Sequence, residues 1–296
     1  MSSNIFPFSW LVEESGYEWI KNQESTALIL VPRQIPGKGA WRFWLPHGLF
    51  RDFASTPQRE RAIVEFANKY GDLFCDYDCD LRFVGRVKGT SGLVRRGAPL
   101  EVWKREIGDM NALVQLWNTI EEKNIERLQE VVTWKESKVR YSVSTPKFQS
   151  GAWLLPHKDD TQDYFTPGDI LRPARFALQE EVNTRLNRTG FLTTVSTPQP
   201  AIAPRIVWHP EKIDEDGNRI PSYQRMVFQP RNLLAAMWLQ FAQAITGECQ
   251  IKRCAAPGCG RYFQVGDGGR RVDAKTCGRG GCRQRLSVAN KKHGKR

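Results

Sequence analysis

The chain is poor in the residues and patterns that carry most enzyme chemistry. It has four histidines in 296 residues, His47, His157, His209 and His293. The first three each sit beside a proline and near a tryptophan, which suggests turn or edge positions. There is no nucleophile elbow, no phosphate-cradling glycine loop and no zinc-protease helix. His157-x-Asp159-Asp160 could form a metal corner, though a chance spacing is the plainer reading. The expectation is a binding protein and not an enzyme. A carboxylate-based active site would leave no such signature, so an enzyme carrying a targeting module stays open as an alternative. No stretch approaches the roughly 18–20 apolar residues needed to cross a bilayer. The N-terminus, Met-Ser-Ser-Asn-Ile-Phe-Pro, has no basic region followed by an apolar run. No membrane partner is expected, and a cytoplasmic location is. In a reducing compartment the seven cysteines then read as thiols or metal ligands rather than disulfides.

What is abundant is aromatic and basic. Ten Trp and fifteen Phe, with 40% apolar residues overall, promise a substantial core. The net charge of +12 is unevenly spread. Residues 250–296 hold thirteen Lys/Arg and two acids, Asp267 and Asp273, a net +11. Residues 1–249 hold thirty-one bases and thirty acids, a net +1. A nearly neutral body with a concentrated basic end points to a polyanionic partner. A solvated basic tail is the plainer alternative.

Hydrophobic periodicity divides the body into strands and helices. Ala27–Val31 and Trp41–Leu45 read as strands around the turn Pro36-Gly37-Lys38-Gly39. Trp-rich strands such as Trp41–Trp44 could line a ligand pocket, but are more often core. Thr56 and Pro57 read as the N-cap and first position of a helix whose buried stripe is Ile63, Phe66, Ala67 and Tyr70, with Gly71 as its stop. Leu100, Trp103, Ile107, Met110, Val114, Trp117 and Ile120 recur at spacings of three and four, predicting a long helix from about Pro99. A strand is expected over Val139–Val143 and a helix over 173–188. Strands at Ile206–Trp208 and Met226–Phe228 flank the turn-forming run Asp214-Glu215-Asp216-Gly217-Asn218. A last apolar helix covers Asn232–Ile245, ended by Gly247. The expected architecture is α+β: a helix-dominant body over residues 1–247, for sensing or assembly, and a small basic zinc module over 248–296. Treble-clef or zinc-ribbon-like knuckles followed by a short helix are the expected form of that module. A homo-oligomer and a small-molecule effector are further expectations for the body.

The module's cysteines run Cys254-x4-Cys259-x17-Cys277-x4-Cys282. Two close pairs joined by a short loop bring four soft thiolates around one tetrahedral ion, as structural Zn2+ requires. Pro257, Gly258 and Gly260 flank the first pair, and Gly278, Gly280 and Gly281 lie within the second. They let the backbone turn tightly about the sulfurs. A segment with so little apolar content needs such a staple to fold. Arg283 to His293 then reads as a short helix, with Cys282 in its first turn and Leu286 and Ala289 toward the metal. The cations of this region are Arg270, Arg271, Lys275, Arg279, Arg283, Arg285, Lys291 and Lys292, the candidate contacts to nucleic acid. Neutralising a zinc ion with four thiolates uses about two of these charges and leaves about nine of the segment's eleven. His293 could be a fifth ligand, but four cysteines already fill the site.

These residues carry a resemblance. Cys254-Ala-Ala-Pro-Gly-Cys259-Gly-Arg-Tyr-Phe263, Arg270-Arg271, and Cys277 with Cys282–Arg285 together resemble the CGNR zinc finger of bacterial transcription regulators. The resemblance covers about 45 residues and implies zinc binding and DNA contact. The family's naming tetrapeptide here reads Cys282-Arg283-Gln284-Arg285, keeping the cysteine and final arginine and replacing glycine and asparagine. Upstream, Phe50-Arg51-Asp52-Phe53-Ala54 and Phe66–Gly71 are similar to the ABATE domain that accompanies this finger, which implies sensing of stress or a ligand. The partner expected is nucleic acid, duplex DNA before RNA, with an RNA- or ribosome-associated role as the alternative. Three other features are set aside. Cys75-x3-Cys79 lacks a third soft ligand and reads as buried thiols. Asp76-x-Asp78-x-Asp80 opens like a calcium loop but has Leu81 and Val87 where Gly and Glu are needed. Cys249 reads as a spare thiol.

Overall fold

The computed structural model describes residues 10–21, 26–33, 39–42, 45–74, 85–88, 94–135, 138–141, 152–154, 168–187, 202–209, 212–213, 219–220, 223–230, 232–247, 250–266 and 270–293. The pair Cys75 and Cys79, the Asp76–Asp80 run, His157, the 214–218 turn and Cys249 lie outside them. The chain begins with β1 (Trp10–Glu13), β2 (Tyr17–Lys21), β3 (Leu28–Pro32) and β4 (Gly39–Arg42). β2 and β3 form an antiparallel hairpin, with Trp19 opposite Leu30, and β1 pairs with β4. Two helices follow, α1 (Leu49–Ala54) and α2 (Glu60–Tyr70). The helix expected to open at Thr56 opens instead at Glu60. The Thr56 hydroxyl donates 2.9 Å to the Asp52 carbonyl four residues back, so it closes α1 and does not cap α2. The stripe of Ile63, Phe66, Ala67 and Tyr70 is buried as the period predicts, and Gly71 ends the helix at φ 100°.

A small hairpin of β5 (Gly85–Lys88) and β6 (Val94–Gly97) leads into α3 (Leu100–Glu121), the spine of the body. After it come α4 (Ile125–Val131) and a three-stranded antiparallel sheet of β7 (Val132–Lys135), β8 (Lys138–Tyr141) and β9 (Ala152–Leu154). α5 (Leu171–Asn187) follows. The long antiparallel pair β10 (Ile202–His209) and β13 (Tyr223–Pro230) encloses the short pair β11 (Lys212–Ile213) and β12 (Arg219–Ile220). α6 (Leu233–Ile245) is capped by Asn232, whose side chain accepts 2.8 Å from the Ala235 amide. The module contributes β14 (Gln250–Arg253), β15 (Tyr262–Val265) and α7 (Cys282–His293). The chain is therefore a mixture of helices and small antiparallel sheets, and no described helix is long and apolar enough to cross a membrane.

The core forms where α1, α2, α3, α5 and α6 meet, because each brings an apolar stripe that must leave water. Its middle is aromatic. Phe53 lies 5.2 Å from Phe66, and Phe50 lies 5.1 Å from Phe241, in tilted arrangements. Burying side chains such as Phe50 and Trp103 contributes about 1.5–3 kcal/mol each. An ion pair is sealed into this core. Arg185 of α5 is 5% exposed and donates to Asp109 of α3 at 3.1 Å and to Glu181 at 2.8 Å. A buried pair of this kind fixes the register of α5 on α3, since losing one partner strands the other charge out of water.

The module is seated on the body. Ile251 of β14 packs against the main core. Tyr262 of β15 lies over Gly48, the left-handed residue that starts α1. The Arg51 guanidinium sits 4.5 Å from the Trp117 ring and 5.7 Å from the Tyr262 ring, and donates 3.2 Å to Asn118.

Candidate metal centre

The hairpin β14–β15 delivers the first two thiols. Arg253 pairs with Tyr262 at its closing end, and the chain between them makes a knuckle carrying Cys254 and Cys259. Backbone bonds fix this knuckle. The Cys254 amide donates 2.7 Å to Arg261, the Cys259 amide 3.1 Å to Ala256, and the Ala255 amide 2.9 Å to Lys275. The last of these ties the first knuckle to the second. Cys277 lies just after that strap, and Cys282 is the first residue of α7. Phe263, Val265 and Ala256 form a small buried cluster with the cysteines, and Ala274 packs against it.

The four sulfurs converge. Cys259 Sγ lies 3.7 Å from Cys277 Sγ and 3.6 Å from Cys282 Sγ, and Cys277 Sγ lies 3.7 Å from Cys282 Sγ. All four ligand atoms fall within 4.8 Å of one another. The spacings are far beyond the roughly 2.05 Å of a disulfide, and all four cysteines are free. Four thiols this close could bind a metal ion. Without a metal Cys277 resists ionising: burial, together with the hydrogen bonds from the other three sulfurs, pushes its thiol up to about 12. A cation at the centre reverses that balance, because metal-bound thiols are held deprotonated. The Cys277 amide also points at Cys254 Sγ, 3.4 Å away, a contact that stabilises negative charge on the sulfur.

The basic residues singled out in the sequence divide into distinct sets. Arg285 donates 3.2 Å to Cys282 Sγ, and contact with that sulfur and its neighbours raises its own pKa. Arg270 turns inward too, with Nε 3.0 Å from the Cys277 carbonyl and the guanidinium lying over Gly278. Gly278 is left-handed at φ 74°, and a Cβ there would meet the arginine. Arg271 is exposed and pairs with Asp273 at 3.2 Å. Lys275, Arg279, Arg283 and Lys291 are exposed. The backbone of Lys292 continues α7. Leu286 and Ala289, expected to face the metal, are half-buried, and Leu286 lines a groove beside the sulfur cluster.

Neutral residues that charge counting passed over also line this groove: Thr276, Ser287 and Asn290. Their signal was available, since Ser287 and Asn290 stand four and seven residues after Arg283 on one face of a helix. The position of Arg285 was legible the same way, three residues after a ligand cysteine. Neither a protein-family model, nor a curated protein, nor a solved structure matches this chain.

Proposed function

We propose that the chain is a zinc-dependent nucleic-acid-binding protein, a DNA-binding regulator whose body senses a signal or assembles subunits. The observation that carries this reading is the convergence of four thiols at the root of a basic helix, in the segment holding eleven of the twelve net positive charges. Zinc suits the donor set. Four thiolates bound at about 2.3 Å in a tetrahedron would lie about 3.8 Å apart, and the three sulfur–sulfur distances among Cys259, Cys277 and Cys282 are 3.6–3.7 Å. A closed four-cysteine site has no open position for substrate, so the ion supplies folding energy and not catalysis. The arrangement is treble-clef-like in that the last ligand starts a helix, while the first knuckle sits at a hairpin end as in a ribbon. This is also the region that resembles the CGNR finger.

The chain's own residues would complete the site. Arg285 and the Cys277 amide offset the negative charge of the thiolates, and Arg270 holds the second knuckle closed. The exposed Lys275, Arg279, Arg283 and Lys291 can meet phosphates, whose counterions are released on binding. Metal content and binding should be measured together on the full chain, using a mixed-sequence DNA duplex and a structured RNA with and without a chelator. A single zinc per chain, lost with Cys277→Ser, and chelator-sensitive binding that favours the duplex are expected. Absence of zinc, zinc undiminished in Cys277→Ser, or binding indifferent to chelation would overturn the reading. Preference for the RNA would move the partner from DNA to RNA.

A further inference from the structure

A groove of 590 Å³ runs between α7 and the loop that precedes the second knuckle. One wall is a single face of α7: Arg283, Ser287, Asn290 and Lys291, at helical spacings of three and four, with the half-buried Leu286 set deeper among them. The other wall brings Arg270, Lys275 and Thr276. A smaller hollow of 240 Å³ shares Arg270, Ala274 and Arg283 with it and adds Arg271. Among the described residues the acid lining these hollows is Asp273, and Arg271 already engages it. The walls are thus cationic on both sides, the floor holds Leu286 and Ala274, and hydroxyl and amide groups fill the gaps.

Resting on the nucleic-acid reading above, we infer that this groove grips the sugar-phosphate backbone of one strand. α7 then acts as one wall of a clamp and not as a helix that reads bases along its length. Three features support this occupant. Cations on opposite walls can hold neighbouring phosphates of one strand from two sides. The side chains of Thr276, Ser287 and Asn290 are of the types that donate to phosphate and sugar oxygens. Among the described residues no aromatic ring lines either hollow, so the described lining offers no stacking platform for unpaired bases. The apolar floor suits the carbon face of a sugar.

The test compares equal charges on different faces of α7 in the full-length protein. Leu286→Glu places a carboxylate on the groove floor. Gln284→Glu places the same charge on the exposed helix surface outside the groove. Binding is measured over a salt series on a mixed-sequence duplex and on one of its strands, with polyglutamate as competitor. Leu286→Glu should weaken binding about tenfold or more, and Gln284→Glu by no more than about threefold. Lys291→Gln, two turns from the sulfurs, should lower the salt slope by about 0.9 on every sequence without altering zinc content. A duplex favoured over the strand identifies the backbone source as paired DNA, and the reverse as single strands. Equal effects of the two glutamates, or an unchanged slope in Lys291→Gln, would overturn the groove while leaving nucleic-acid binding intact. Polyglutamate displacing the duplex at equal charge concentration would overturn it in favour of an acidic polypeptide. Failure of the wild-type chain to bind either oligonucleotide would overturn both readings.

Discussion

Arg285 donates to the sulfur of Cys282 across 3.2 Å, one helical turn along α7 from the thiol it contacts. Two residues earlier, Arg283 faces the groove instead. The sequence treats these arginines alike, as candidate contacts to nucleic acid. The fold gives them different surroundings. Arg285→Ala should weaken zinc retention about tenfold or more in competition with a chelator, and leave the preference between a favoured and a scrambled duplex unchanged. Arg283→Ala should keep its zinc and bind both duplexes more weakly. A change of sequence preference in Arg285→Ala would show that this side chain leaves the sulfur to reach a base.

Arg270 offers a second separation of roles. Its Nε bond to the Cys277 carbonyl and its position over Gly278 make it a clasp on the second knuckle. Arg270→Lys keeps the charge but loses the planar fork that spans this contact. Zinc affinity should therefore fall in Arg270→Lys almost as far as in Arg270→Ala. Full retention in the lysine variant would mean that charge alone matters at this position.

Stability should depend on pH through Asp72. Burial pushes this carboxyl up to about 7, against the opposing pull of the Leu73 and Phe74 amides, and its Oδ1 has no partner. The folded state holds the proton where the unfolded chain has released it, so stability falls as pH rises from the ordinary carboxylate range through 7. The slope should approach about 1.4 kcal/mol per pH unit. Glu13 is raised by burial and acts in the same direction, while His47, lowered by burial, acts oppositely below its ordinary value. Subtracting the denaturation curves of Asp72→Asn from those of the wild type isolates the aspartate. The gain from the asparagine should be larger at pH 8 than at pH 5, and a gain independent of pH would refute the assignment.

Gly48 tests the seat of the module. It is left-handed at φ 72°, and a Cβ there would come within 2.6 Å of Tyr262 Cβ. Gly48→Ala should cost about 1–2 kcal/mol in backbone strain alone, with the displaced tyrosine adding to it. Zinc content measured alongside separates a loosened seat from loss of the metal. A melting temperature equal to wild type would mean that Tyr262 is not held there.

Much of the body was legible because its strongest patterns are local. The stripe from Leu100 to Ile120 and the run from Leu233 to Ile245 each gave one long helix with the stripe inward. The strands placed at Ile206–Trp208 and Met226–Phe228 are the middle of the β10–β13 pair. The short helix α1 was not foreseen, because its start depends on a left-handed glycine and not on a capping side chain. Thr56 misled for a related reason: a threonine hydroxyl serves a helix end as well as a helix start, and here it bonds backward to Asp52. In the module, sequence spacing alone brought Cys254, Cys259, Cys277 and Cys282 together. The division of the basic residues was hidden, because it depends on how α7 is rotated about Cys282. The contact between Tyr262 and Arg51 was hidden as well, being a pairing across 211 positions with no local trace.

The hairpin β14–β15 belongs to two structures at once. Ile251 is rooted in the aromatic core and Tyr262 closes over Arg51 beside Trp117, while the knuckle it carries supplies half of the sulfur cluster. Anything that loosens the sulfurs therefore tugs on a tryptophan well away from them. The protein carries its own optical gauge: stripping the metal should alter the emission of Trp117, and substituting that one ring should silence the signal without touching the site it reports.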